Sequence, residues 1–287
     1  MAEKIAILAI DELQKSGVTV TASTTASSSL MPASNVTDYR PGKVWRATGA
    51  SAEWLQVDHG SSVYTDTVAI IGHNLSLAGT VRVRRSNDPA FASSIYDSGV
   101  LDIWPPLYGL GEGGLGRYLG GYVPPGDLGV VLPVRVVYLG AAYGGRYTRV
   151  DLSDSNSPIG AVEAGVLMAG VRETFAYNFG HGWQADVVDP SEQFETDAGG
   201  TLVLPRTPYD QLSLPFRRFT RSEALTRIST IKRVNGKRKP VLVQLFPDAA
   251  PALLYRTTYY GLLSGWSGSE FQAHDVAAQS FTIRGLV

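Results

Sequence analysis

Four groups of side chains in this sequence have types and spacings that suggest chemistry. Gly109, Gly111 and Gly114 match the glycine spacing of a dinucleotide-phosphate fingerprint. That chemistry needs a strand before the glycines and a helix N-terminus after them, so that free N–H groups face the phosphates. Here Trp104-Pro105-Pro106 precedes and Arg117-Tyr118-Leu119-Gly120-Gly121 follows, which excludes both elements. Asp186, Asp189, Glu192, Glu195 and Asp197 contain enough carboxylates for the acid pair of a glycosidase, Asp186 and Glu192 being the candidates. Lying between Trp183 and Gly199-Gly200, they read as a solvated linker, and no Gly-x-Ser-x-Gly elbow supports an enzyme.

The third group is basic: Arg217, Arg218, Arg221, Arg227, Lys232, Arg233, Lys237, Arg238 and Lys239, with Glu223 the one acid among them. No aromatic interleaving in the run suggests base stacking. A solvated face or a subunit contact made by Arg217, Arg218, Arg221, Lys232 and Arg233 is therefore favoured over nucleic acid. The fourth group is metal-ligating. His59, His73, His181 and His274 show no i, i+2 or i, i+4 pair, and the absence of cysteine removes thiolates, so surface or turn histidines are expected rather than zinc. Asp151, Asp154 and Asn156 offer oxygen ligands for a structural calcium but lack the glycine and terminal glutamate of an EF-hand loop. No other cofactor is implied.

Aromatic residues suggest contact in place of catalysis. Residues 100 to 132 show no period of 2 or 3.6 and contain Trp104, Tyr108, Tyr118 and Tyr122. A long aromatic loop is either an exposed contact surface or an insertion packed on its own domain. Trp45, Arg46 and Trp54 admit a sugar-stacking reading. Because Trp54 sits inside a strand pattern, the favoured reading packs it between sheets, with Arg46 satisfying buried carbonyls.

Positioning these groups falls mainly to strands. In 287 residues, 31 glycines, 16 prolines and 18% charged residues fit many short strands and turns, and 44% hydrophobic content suffices for two cores. A formal net charge of −1 supplies no global field for nucleic acid or an anionic membrane. No apolar run approaches membrane-spanning length, and Ile5–Ile10 is too short for a signal sequence, so membrane insertion and general secretion are not expected.

Leu55 and Val57 alternate with Gln56 and Asp58, Val81 and Val83 with Arg82 and Arg84, and Val68–Ile71 reads as a doubly buried strand. Lys4–Ile10, Val134–Leu139 and Tyr147–Leu152 are strand-like, Ala161–Met168 would place Val162, Ala164, Val166 and Met168 on one face, and Thr19–Ser29 is extended or loop. A composition change near Gly170 divides the chain into 1–170 and 171–287. In the second part Phe175–Trp183 is strand-like, Gln184–Gly200 is linker, and Leu212, Leu214 and Phe216 mark a half-buried strand. Thr220 and Glu223 form a capping box for a helix at 221–234 that ends at Asn235-Gly236. Strands at Val241–Phe246, Leu253–Leu263 and Phe281–Leu286 complete a small α+β unit.

The order Asn35-Val36-Thr37-Asp38, Trp45-Arg46, Glu53–Gly60 and Val68–Leu75 resembles the discoidin or galactose-binding jelly-roll sandwich. The run Tyr209–Phe216, the capped helix, Lys239–Val243, Tyr260–Leu263 and Phe281–Arg284 resembles tail proteins of long-tailed bacteriophages, in which such a sandwich joins a ring-building β-rich domain. These resemblances imply a mainly β protein, with a discoidin-like β-sandwich followed by a split-barrel-like α+β domain with one helix. They further imply a non-enzymatic virion component of the tail tip or baseplate, assembled in the host cytoplasm. Its partners would be other tail proteins, copies of itself and host glycans. The alternatives are a free-standing lectin-like module and a glycan-cleaving tail enzyme.

Overall fold

The computed structural model describes residues 4–104, 132–195, 197, 199–273 and 275–286. Its strands, in chain order, are β1 (Ala6–Leu8), β2 (Thr19–Ala22), β3 (Trp45–Arg46), β4 (Glu53–Ile71), β5 (Thr80–Ser86), β6 (Tyr96–Asp97) and β7 (Leu101–Asp102). There follow β8 (Val134–Ser153), β9 (Glu163–Ala164), β10 (Val166–Gly170), β11 (Glu173–Thr174), β12 (Gln184–Val188), β13 (Glu192–Glu195) and β14 (Thr201–Leu204). The last are β15 (Tyr209–Thr220), β16 (Pro240–Gln244), β17 (Thr258–Trp266), β18 (Glu270–Ala273) and β19 (Val276–Gly285).

The protein is mainly β, built as a jelly-roll-type sandwich and a split-barrel-like α+β unit. The larger sandwich layer follows the order β10-β4-β8-β5-β6, with β2 on β4 and β7 on β5, and the smaller is the β3–β9 pair. Leu55, Val57, Val81, Val83, Val150 and Leu152 bury the inward-facing alternate positions of the large layer. Against them pack Trp45, Ala47, Val162 and Ala164 of the small layer.

The two segments that read as separate strands, Leu55–Asp58 and Val68–Ile71, are one strand, which bends at Gly60 with φ +75°. Its first half alternates between buried and half-buried positions, whereas Thr65–Ile71 is buried throughout. Val162 and Ala164 do face the sandwich core, but Val166 and Met168 turn to another cluster, so the four do not share a face. Chain direction breaks between them at Gly165, outside both flanking strands.

The second sheet has the order β11-β1-β16-β17-β19-β15-β12, with β18 on β19. Strand β1 pairs with β16 and β11, so the chain starts in this sheet before crossing to the sandwich. The 221–234 segment is helical throughout, with a π turn at Ala224–Ile228 between α turns at Arg221–Glu223 and Ser229–Val234. Both halves of the Thr220–Glu223 capping box are formed. Ala224, Ile228 and Ile231 pack on Leu214, Phe216, Val241 and Val243.

Three expectations for this unit are corrected. Residues 175–183 carry no strand, and the expected acidic linker, Gln184–Gly200, holds β12 and β13, the latter pairing with β14 just beyond it. Residues 253–256, read as the start of a strand, belong to the helix Pro251–Arg256, which has proline in its first turn, where a missing N–H costs nothing.

A third cluster joins the two units: Leu8, Ala69, Ile71, Val166, Met168, Leu242 and Tyr260. Burying each large side chain there contributes about 1.5–3 kcal/mol. The Tyr260 hydroxyl donates to the Tyr39 carbonyl at 2.9 Å across the same joint. Beside it a recess of about 230 Å³ is lined by Asp11, Lys15, Tyr39, Lys239 and Pro240, among others. Asp11 Oδ1 accepts from the backbone N–H groups of Leu13 and Ala169, each at 3.1 Å, while its buried Oδ2 has no hydrogen-bond partner among the described residues. Burial outweighs those two hydrogen bonds and pushes the carboxyl up to about 7.

His59 and His73 are buried, contrary to the expected surface histidines, and burial pushes them down to about 4 and about 3. A raised carboxyl lets the native state hold a proton that the unfolded chain has lost, so Asp11 lowers stability as pH rises from about 4 to about 7. The two histidines act oppositely, adding stability as pH rises from about 4 to about 6.5. Asp11→Asn is therefore expected to make the rise of urea-unfolding stability between pH 4.5 and 7 steeper than in the wild type.

Candidate functional site

The sandwich carries a groove of about 530 Å³ lined by Leu30, Met31, Arg40, Gly42, Lys43 and Val44. Its walls are built by the Asn35-x-x-Asp38 motif. Residues Ala33–Thr37 form a 3-10 turn that buries Asn35 and Val36. From there the Asn35 amide donates to the Leu30 carbonyl at 3.1 Å and the Val44 carbonyl at 2.8 Å, tying the two rims together. Asp38 ends the turn and projects outward. Its Oδ1 accepts from Arg40 Nε at 2.9 Å, and its Oδ2 accepts from an Arg40 terminal nitrogen at 2.7 Å and Lys43 Nζ at 3.0 Å.

The Arg40 guanidinium holds the Asp38 carboxyl well below the usual carboxylate range, with Lys43 adding to the effect. Two cations thus share one carboxylate and leave a surplus positive charge at the rim. Leu30, Met31 and Val44 supply the apolar wall. Such a recess, apolar with a few fixed polar groups, suits a small ligand bearing hydroxyls and a negative charge.

The loop carrying Arg40 and Lys43 is fixed from below. A side chain at Gly165 would approach the Pro41 carbonyl oxygen to 2.2 Å, and one at Gly72, where φ is +71°, would meet it at 3.0 Å. Trp45, fully buried just beyond the rim, donates from its indole nitrogen to the Thr24 carbonyl at 3.1 Å. Of Trp45 and Trp54, it is therefore Trp45 that packs in the core. Trp54 points from the outer face of β4, half-buried under the Arg149 guanidinium at 4.4 Å from its ring centroid. Arg46 pairs with Glu163 rather than with buried carbonyls. That role falls to the fully buried Arg85, which donates to the carbonyls of Val63 at 2.7 Å and Gly145 at 2.8 Å.

The other sequence candidates are not brought together. Asp151 accepts from Arg84 and Arg149 on the outer face, whereas buried Asp154 accepts from Ser76 N at 2.6 Å and Ser76 Oγ at 2.7 Å. Asn156 is exposed, and its backbone N–H caps Asp154 at 3.0 Å. Among the described residues no three histidines or acids converge on a metal position. Trp104 is buried, its indole nitrogen donating to the Leu75 carbonyl at 2.8 Å, so it is not an exposed contact. Tyr108, Tyr118, Tyr122, the 109–114 glycines and His274 lie outside the described residues.

Asp186 and Glu192 are exposed on separate strands, with Glu192 paired to Arg206 at 2.6 Å. Arg217, Arg218, Arg221 and Arg233 are exposed, Arg218 lying over Tyr177, whereas half-buried Lys232 donates to the Ser267 carbonyl at 3.3 Å.

No protein-family model matches this chain, and no curated protein does. Solved structures of carbohydrate-binding modules do match part of it. A family 32 module of Clostridium perfringens NanJ, solved with galactose, is 14% identical, with 58% of this chain and 99% of that one covered and a TM-score of 0.37. A module of AlyQ, solved with 4,5-unsaturated mannuronic acid, is 17% identical over 53% of this chain and 93% of its own, with a TM-score of 0.34. A chitosan-binding module from a Paenibacillus sp. IK-5 chitosanase/glucanase is 18% identical over 53% and 94%, with a TM-score of 0.35. Identity and TM-score are low throughout, and a little over half of this chain is covered.

Gly165→Ala tests how the groove is held. The new methyl would meet backbone that cannot rotate away, so the variant is expected to lose about 1–3 kcal/mol in chemical denaturation. The Arg40–Lys43 loop should become more susceptible to trypsin.

Proposed function

We propose that this protein is a lectin-like, non-catalytic module that binds an acidic saccharide in the Asn35–Asp38 groove. The observation that carries the reading is the pairing of an apolar wall with two cations positioned by one ionised carboxylate. The Arg40 fork is spent largely on Asp38, which fixes its direction, while the ammonium of Lys43 retains donors for a ligand carboxylate. Leu30 and Met31 offer C–H-rich surface to a sugar ring. The outer face of the large sheet is the weaker alternative: Arg84 and Arg149 also share one carboxylate there, Asp151, but their guanidinium faces are taken by the Phe91 and Trp54 rings.

A second reading makes the protein a structural component of a phage tail tip or baseplate, assembled in the host cytoplasm with tail proteins and copies of itself. It is favoured by one feature, the exposed β13–β14 hairpin that projects from the second unit. In that setting the groove would face host glycans. Co-purification with tail proteins would support it, and a protein that joins no tail complex would remove it.

Binding to an array of uronate-, sialate- and galactose-bearing saccharides checks the groove. Acidic sugars are expected to bind above neutral ones, and the Arg40→Ala/Lys43→Ala double variant to lose about tenfold or more in affinity with an unchanged melting curve. Equal binding by the double variant, or none by the wild type, would remove the proposal.

A further inference from the structure

The joint between the two units holds a recess whose polar groups the saccharide groove does not use. It measures about 230 Å³, and Asp11, Lys15, Tyr39 and Lys239 meet there with the apolar Ile10 and Val234. Asp11 caps the Glu12–Gln14 turn and is only 7% exposed. Its Oδ1 is held by one N–H of that turn, Leu13, and one of β10, Ala169, so the carboxyl is fixed in direction. Oδ2 is left without a hydrogen-bond partner among the described residues, because the Gln14 amide beside it donates to the Thr37 carbonyl at 2.6 Å. A buried polar atom left unpaired costs free energy that a ligand's hydrogen bond recovers. The surrounding walls are tied together as well. Buried Asn235 donates to the Ala9 carbonyl at 2.6 Å and the Pro240 carbonyl at 3.1 Å, joining the end of β1 to the start of β16.

Charge selects the ligand. Glu12 and Lys15 face Asp11 from its own turn, Tyr39 from the loop before β3, Tyr260 from β17 and Lys239 from the approach to β16. Lys15 is offset by Glu12 at 2.6 Å, whereas half-buried Lys239 has no acid partner among the described residues. Burial, and then the charge of Asp11, pushes both phenols above the usual tyrosine range, so both stay protonated. The Tyr260 hydroxyl is spent on the Tyr39 carbonyl, and the Tyr39 hydroxyl remains as a donor. With the Asp11 carboxyl pushed up to about 7, a proton is readily available on it near neutral pH. One excess cation, one phenol and one acid O–H complement a single negative charge, and O–H bonds to a carboxylate are among the strong ones.

We propose that this recess binds a small organic monocarboxylate, which accepts from the Asp11 carboxyl and the Tyr39 hydroxyl beside the Lys239 ammonium and lays its apolar body against Ile10 and Val234. Binding holds a proton on Asp11 and therefore weakens as pH rises through the range in which that proton is lost. The site is separate from the saccharide groove, since Tyr39 lines the recess while Arg40 and Lys43 line the groove.

Amide chemical-shift titration of the full chain with benzoate tests it, with the Arg40→Ala/Lys43→Ala variant as background so that the groove does not contribute. Benzoate should perturb residues 9–15 and 234–240, and its affinity should fall by about tenfold per pH unit above pH ~7. Benzamide, its neutral counterpart, should bind about tenfold or more weakly. Adding Asp11→Asn, which keeps an N–H donor and an acceptor for Leu13 and Ala169, should retain binding and make it independent of pH. Lys239→Gln, at a half-buried position the fold does not rely on, should weaken binding about threefold or more with unaltered circular dichroism. Absence of shifts at residues 9–15 and 234–240, equal binding of benzamide, or the same decline with pH in the Asp11→Asn variant would overturn the proposal and leave the groove reading untouched.

Discussion

The antiparallel pairing of Glu53–Ile71 with Val134–Ser153 is the constraint on which the rest of the structure depends. Its first stretch, Glu53 against Leu152 to Asp58 against Tyr147, gives one face to the sandwich core and the other to solvent. Beyond the irregularities after Asp58 and Thr65, the first of these strands is covered on both faces. There Val68 and Ile70 serve the sandwich, while Ala69 and Ile71 serve the cluster shared with Leu8, Leu242 and Tyr260. One strand thus supplies two cores, and the units are held by apolar burial rather than by a linker. The groove depends on the same pair, because Gly72 follows directly at its end and with Gly165 leaves room for the Pro41 carbonyl.

The charged groups divide according to what they hold. On the outer sheet face, Asp58, Asp97 and Asp151 each meet arginines of neighbouring strands, and such exposed pairs contribute little to stability. Buried Arg85 satisfies carbonyls beside the irregular stretch of the long pair, where the ladder cannot. At the groove rim, Asp38 aligns two cations toward open space. The first two arrangements lie within the sheet, and the third stands at the rim of a groove.

Much of this was legible in the chain. Alternation at Leu55/Val57 and Val81/Val83 sets the inward face of the sandwich, and the Thr220–Glu223 capping box starts the one long helix. The Asn35–Asp38 motif was visible as a fold signature, but its role in tying Leu30 to Val44 depends on hydrogen bonds that no local pattern encodes. Strand position suggested Trp54 as the core tryptophan, whereas cross-strand packing chose Trp45. Trp104, read as part of an aromatic surface, is claimed by the Leu75 carbonyl and by His73, whose ring centroid lies 5.0 Å away. In 184–200 acidity masked strand alternation, and at 253–256 a short apolar run carried no period able to separate helix from strand.

The most direct test of the binding account is the location of ligand contacts, read by amide chemical-shift mapping of the isotope-labelled protein titrated with a uronate oligosaccharide. The account predicts perturbations concentrated at Leu30–Val44, with those at Arg40 and Lys43 among the largest and Glu192–Leu204 unaffected. Perturbations confined to the outer sheet face around Trp54 and Arg149, with Leu30–Val44 unmoved, would contradict it.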